Sequence, residues 1–199
     1  MSENKAPTFD AVDVSGLLAA METRLSDVER RLDTEIADIK DQLPDNRVSI
    51  IVFSGDLDKT LAAFIIATGA AAMGMEVSMF FTFWGLSAIK ARRGVIGKSL
   101  PETLMALMTA GSSKELSPSK MAYFGAGSLM LRQMMKDKDV QSLEELIALA
   151  KELGVRIVAC DMSMDVMGVR QDELMPGVDL GGVATFLADA AKSKVSLFI

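Results

Sequence analysis

The chain contains no histidine and a single cysteine, Cys160. The first absence removes Ser-His-Asp and Cys-His triads, histidine-ligated zinc or haem, and an imidazole pH switch. The second removes intrachain disulfides, paired-cysteine redox motifs and cysteine-rich zinc sites. A lone thiol suits a reducing compartment. One Trp and one Tyr make a poor stacking platform for bases. Positive charge is also short: 21 lysines and arginines stand against 27 aspartates and glutamates, a net charge of −6. A nucleic-acid binder needs the opposite balance to neutralise phosphates, so no such partner is expected. The start, MSENKAPTFD, has neither the basic nor the apolar region of a signal peptide, and the cytoplasm is the expected compartment.

What is present is apolar. Half of the 199 residues are hydrophobic and 24% are charged, a composition that folds. The length fits one compact domain with an appendage. Residues 1–12 read as a frayed tail. Leu18, Met21, Leu25, Val28, Leu32, Ile36, Ile39 and Leu43 then recur in steps of three and four, with one stutter. This predicts a long amphipathic helix from Val14 to Leu43, ended by Pro44-Asp45-Asn46. Such a helix either packs on its own domain or joins subunits as a coiled coil. The narrowness of the stripe favours the coiled coil. The expected division is 1–46 for tail and helix and 47–199 for the folded domain.

Beyond it, apolar runs alternate with helical periodicity. Val48–Phe53 reads as a buried parallel strand, and Lys59–Met73 as a helix apolar nearly all round. Glu76–Phe83 reads as a second strand, which closes a βαβ unit. Residues 61–89 are apolar enough to suggest a membrane span. Lys59, Gly69, Gly74 and Glu76 cut the stretch into pieces shorter than the roughly 20 residues a span requires. Peripheral membrane contact stays open. Lys90-Ala91-Arg92-Arg93, with Lys98, reads as a solvated basic loop, or alternatively a docking patch for an acidic partner or an anion. Ser99 with Glu102 spaces as a capping box, with Pro101 in the first turn and Leu104, Leu107 and Met108 as the apolar face. Residues 110–120 read as a flexible loop or lid. Met130–Lys136 reads as helical, introduced by Gly125-Ala126-Gly127. Ser142 and Glu145 make a second capping box before a helix that Gly154 closes. Val155–Cys160 is a third strand, 162–168 a short helix and 171–174 a turn. Gly181-Gly182 opens a helix with Val183, Phe186, Leu187 and Ala190 on one face, and Lys194–Ile199 is a last strand. The fold class is α/β: a Rossmann-like three-layer sandwich with a mostly parallel sheet.

In such sheets, sites lie at the carboxyl ends of the strands. Cys160 ends its strand, and Asp161-Met162-Ser163-Met164 leads into a helix start whose N–H groups favour a thiolate. Packing is an equal reading for a free cysteine. The turn around Gly55 and Asp56 reads as an anion cradle or, more simply, as a helix cap supplied by Asp56 or Asp58. It lacks the Walker spacing, so ATP is not indicated. Gly182 marks a second weak anion site. Met162, Met164 and Met167 beside a thiolate would suit Cu(I), but core packing explains fifteen methionines more simply. No cofactor and no metal are expected.

Four segments carry a family resemblance: residues 54–86, FGAGS at 124–128, ACDMSMDVMGV at 159–169 and GGVATFL at 181–187. Together they resemble the DsrE/DsrF-like sulfur-relay family, in its longer branch labelled peroxiredoxin-like or sulfurtransferase-like, over residues 47–199. The resemblance implies an oligomeric Rossmann-like domain that holds sulfur as a persulfide. It implies exchange with TusA-type carriers or rhodanese-like proteins. The family's cysteine falls on Cys160. Persulfide transfer needs a thiolate and access, but no histidine and no metal. A two-cysteine peroxidase would need a resolving thiol that this chain lacks, so a sulfurtransferase role is expected over a peroxidase. Gly55, Asp56, Trp84, Ser163 and Gly182 are the candidate substrate-binding residues by topology, with Phe83 and Trp84 as shields against water. The competing expectation is a non-catalytic oligomeric scaffold, or a membrane-peripheral adaptor, with Cys160 as packing.

Overall fold

The computed structural model describes residues 14–95, 97–120 and 125–199. The expected tail at 1–12 lies outside them, as does Phe124 of the FGAGS stretch. Two units are present, Met1–Leu43 and Pro44–Ile199. The described part of the first is one helix, α1 (Val14–Gln42). Its described side chains are exposed all round, apart from a half-buried Asp27.

The second unit is built on a five-stranded parallel sheet. Its strands are β1 (Asp45–Val52), β2 (Glu76–Phe81), β3 (Arg156–Cys160), β4 (Asp179–Gly181) and β5 (Ser193–Phe198), in the order β4-β3-β2-β1-β5. The helices are α2 (Leu57–Ala72), α3 (Leu100–Met108), α4 (Ala126–Asp137), α5 (Leu143–Glu152), α6 (Asp161–Met167) and α7 (Val183–Lys192). A 3-10 helix, Phe83–Ile89, follows β2. Strand β4 had no signal in the sequence: three residues are too few to display a period.

Alternation along the strands sorts the two faces. Val48, Ile50 and Val52 of β1, Val77, Met79 and Phe81 of β2, and Ile157 and Ala159 of β3 enter the main core. Helices α2 and α5 cover that face through Leu61, Phe64, Ala67, Leu146, Ile147 and Ala150. Phe80, Val158 and Cys160 point to the opposite face and form a separate small cluster with Phe186 of α7. The capping box of α5 is present, with Ser142 Oγ accepting from the Glu145 N–H and Glu145 accepting from Ser142. At α3 the Ser99 N–H donates to Glu102 at 2.6 Å.

Several expectations are corrected. Helix α2 is not buried all round: Ile65 and Ile66 are exposed, because one side of it faces away from the sheet. Leu104, Leu107 and Met108 of α3 are exposed, and only Ala106 of that helix is buried. Residues 110–120 are not a free lid. Leu116 is buried, the Ser117 carbonyl accepts from the Leu57 N–H, and Ser119 donates to Asp58.

The basic loop is not simply solvated either. Lys90 is 3% exposed, and the Lys98 ammonium pairs with the fully buried Glu173. Arg92 pairs with Asp172, and Arg93 with Glu115. Arg92, Arg93 and Lys98 are therefore ion-paired within the domain. Glu173 also accepts from the Gly94 and Arg170 N–H groups. Burial pushes its carboxyl up, but Lys98 and these two N–H groups outweigh that and hold it below the ordinary range. Among the described residues Lys90 donates to the Ala110 carbonyl at 3.3 Å and forms no ion pair, and burial pulls its ammonium down against the weaker pull of Glu173. The two lysines should respond differently to replacement. Lys98→Met strands a buried carboxylate and should cost about 3 kcal/mol. Lys90→Met removes a poorly partnered buried cation and should be neutral or stabilising. Denaturant unfolding of both variants reads the contrast.

Candidate functional site

Two turns at the carboxyl rim lock together through glycines. Gly85 donates its N–H to the Phe53 carbonyl at 2.8 Å, and Thr82 donates to Val52 at 3.1 Å. A Cβ on Gly85 would lie 2.1 Å from the Val52 oxygen, and one on Gly55 would lie 2.6 Å from the Trp84 oxygen. Only glycine permits this approach. Between them Phe83 takes a left-handed backbone, φ 46°, a strained state for an aromatic residue. Its ring lies 5.5 Å from that of Phe53.

This rim borders a cleft of about 620 Å3, walled by Gly55, Asp56, Lys59, Trp84, Arg93 and Met108 among others. The cleft brings together three of the expected residues: Gly55, Asp56 and Trp84. Asp56 precedes α2 without capping it through its side chain. Its carboxylate instead accepts from Ser54 and pairs with Lys59. Asp58 does not cap either. It takes both the N–H and the hydroxyl of Ser119, which hold its carboxyl below the ordinary range against the upward push of burial. An anion entering here meets the Asp56 carboxylate, and the Leu57 N–H is already taken by Ser117.

Cys160, Ser163 and Gly182 are not among the walls of that cleft. Cys160 ends β3, Ser163 lies in α6, and Gly182 follows β4. Cys160 is the residue before α6, paired in register with Gly181, and is 3% exposed. Ser163 is fully buried, and its hydroxyl lies 2.6 Å from that of Thr82. Gly182 precedes α7, and a Cβ there would lie 3.6 Å from an Asp161 carboxylate oxygen. Asp161 also accepts from the Met162 N–H at 2.7 Å. Of the three methionines considered for a soft metal, Met164 and Met167 are buried and Met162 is exposed. Among the described residues, no three Cys, Asp or Glu side chains converge as a metal site.

The small cluster that holds the thiol has Phe186 of α7 packed against it. Phe186 packs on Phe80, with ring centroids 5.6 Å apart. Three residues further along, Asp189 accepts from Arg47, Arg156 and Ser78. No residue of α7 is fully buried. The helix meets the sheet through half-buried side chains, among them Phe186 against Phe80 and Asp189 against Arg47 and Arg156. Sequence reasoning placed Phe186 on the apolar face of α7 but did not find Asp189 or Thr82. Their partners come from distant strands, and no local pattern announces them.

The model of the DsrE/DsrF/DrsH-like family matches residues 44–198. Among curated proteins, the uncharacterized protein YrkE of Bacillus subtilis is 42% identical over 154 residues, covering 77% of this chain and 96% of its own. The sulfur carrier protein DsrE2 of Allochromatium vinosum is 35% identical over 156 residues, covering 77% of this chain and 98% of its own. Among solved structures, the ychN protein from E. coli aligns with a TM-score of 0.44 at 9% identity, over 77% of this chain and 98% of that one. Helix α1 lies outside the family match.

The thin cover makes a kinetic prediction. Phe186→Ala should speed labelling of Cys160 by a thiol reagent in the native protein by roughly tenfold, because the opening that exposes it becomes easier. An unchanged rate would mean that the thiol is gated elsewhere.

Proposed function

The chain belongs to the DsrE/DsrF/DrsH-like family, and from that premise we propose that it is a sulfur carrier that holds sulfane sulfur as a persulfide on Cys160. The observation that supports this reading is the position of the chain's only thiol. It stands at the carboxyl end of β3, on the rim where α/β sheets place their chemistry, with a helix beginning at the next residue. A relative of 35% identity is named a sulfur carrier protein.

The transfer balances without an added oxidant. Cys160 loses its proton to solvent, and its thiolate attacks the outer sulfur of a donor persulfide. A new S–S bond forms at Cys160, the donor S–S bond breaks, and the donor leaves as a thiolate. An acceptor thiolate then takes the outer sulfur and returns Cys160 to its starting state. The donor and acceptor are proteins of the TusA-type or rhodanese-like class, and the exchange runs in the cytoplasm. No helix among the described residues is long and apolar enough to cross a membrane.

The closed state of Cys160 sets the order of events. Phe186 and the start of α7 move before a partner's sulfur reaches the thiol. The same burial favours a second reading, a scaffold in which Cys160 only packs.

Intact-protein mass after incubation with polysulfide, run beside Cys160→Ser, separates the two. The carrier reading expects a gain of one sulfur atom per chain, lost on reduction and absent in the variant. No adduct on a thiol shown to be reduced and labelled in the same sample moves the assignment to the scaffold.

A further inference from the structure

Helix α1 presents a continuous apolar seam to solvent. Leu18, Met21, Leu25, Val28 and Leu32 are all more than half exposed. A 29-residue helix, roughly 43 Å long, does not keep such a seam in water without a partner. With Leu18, Leu25 and Leu32 at heptad position a and Met21 and Val28 at d, the flanking positions are fixed. Glu22 and Glu29 fall at e, and Arg24 and Arg31 at g. In this stretch every charged e residue is acidic and every charged g residue is basic.

That arrangement complements a second copy of itself in one orientation only. In parallel register, g of one helix faces e of the next heptad in the other, which sets Arg24 against Glu29 in both directions. Antiparallel packing would set Arg against Arg and Glu against Glu. Arg30 and Arg31 already pair with Asp27 within the helix. Arg24 and Glu29 form no ion pair among the described residues. We propose that α1 is a parallel, in-register coiled coil with further copies of this same chain. After Leu32 the seam steps by four to Ile36, and this stutter locally unwinds the supercoil before the chain enters β1.

The test uses the full chain with Leu25→Cys under mild oxidation, followed by peptide mass mapping. The proposal expects a disulfide between residue 25 of two copies in most of the protein. It also expects Arg24→Glu to lower that yield severalfold, and Arg24→Glu with Glu29→Arg to restore it. A residue-25 thiol that labels freely but forms no such bond overturns the proposal. So does a bond from residue 25 to Cys160, or a yield that ignores both charge changes. An assembly that persists by mass without the residue-25 bond assigns self-association to the α/β unit and overturns it as well.

Discussion

The backbone contact between Gly85 and β1 is the constraint on which the carboxyl rim depends. Two hydrogen bonds tie the turn after β2 to the end of β1, and a side chain on Gly85 would occupy the space of the Val52 oxygen. The turn that results forces Phe83 into a left-handed backbone and sets Trp84 over the cleft. The same turn carries Thr82, whose hydroxyl meets Ser163 of α6. The cleft and the helix that follows Cys160 are thus held by one piece of chain. Gly55, approaching Trp84 from the other side, completes the lock.

The two faces of the sheet are built by different means. One is an apolar core of large side chains under α2 and α5, in which burial dominates. The other carries α7 on a few contacts, with Phe186 against Phe80 and Asp189 between two arginines. Removing Asp189 would leave the half-buried Arg47 with Glu76 and the exposed Arg156 with Asp179, and would strip α7 of its ionic tie to the sheet. Cys160 lies on this second, more lightly covered face. A thiol that must be shielded between transfers and reached during them is suited to a cover of this kind. The main core can stay intact while α7 shifts.

Much of the fold was legible in the sequence because its signals are local. Val48–Val52, Glu76–Phe81 and Arg156–Cys160 are apolar runs bounded by turn residues, and parallel strands buried on both faces produce that pattern. The capping residues Ser99 and Ser142 announced their helices through partners three positions away. What stayed hidden depends on distant pairing. Lys90 and Lys98 read as a solvated cluster because what buries Lys90, and the Glu173 that pairs with Lys98, come from elsewhere in the chain. The expected substrate residues were gathered by topology alone. Gly55, Asp56 and Trp84 do meet, while Cys160 and Gly182 stand at neighbouring strand ends and Ser163 lies in α6. Periodicity tells which face a residue takes, but not which loop will lie beside it.

The strand order has a consequence for how the chain is made. Of the described strands β1 is synthesised first and β5 last, yet the two are neighbours in register. Until β5 leaves the ribosome, β1 holds one row of N–H and C=O groups unpaired, next to an apolar core that has already begun to assemble on its other side. A nascent chain in that state carries an open sheet edge, the feature that invites pairing with another chain. Ser49, buried on β1 and bonded to Ser193 at the start of β5, puts a polar residue on that waiting strand.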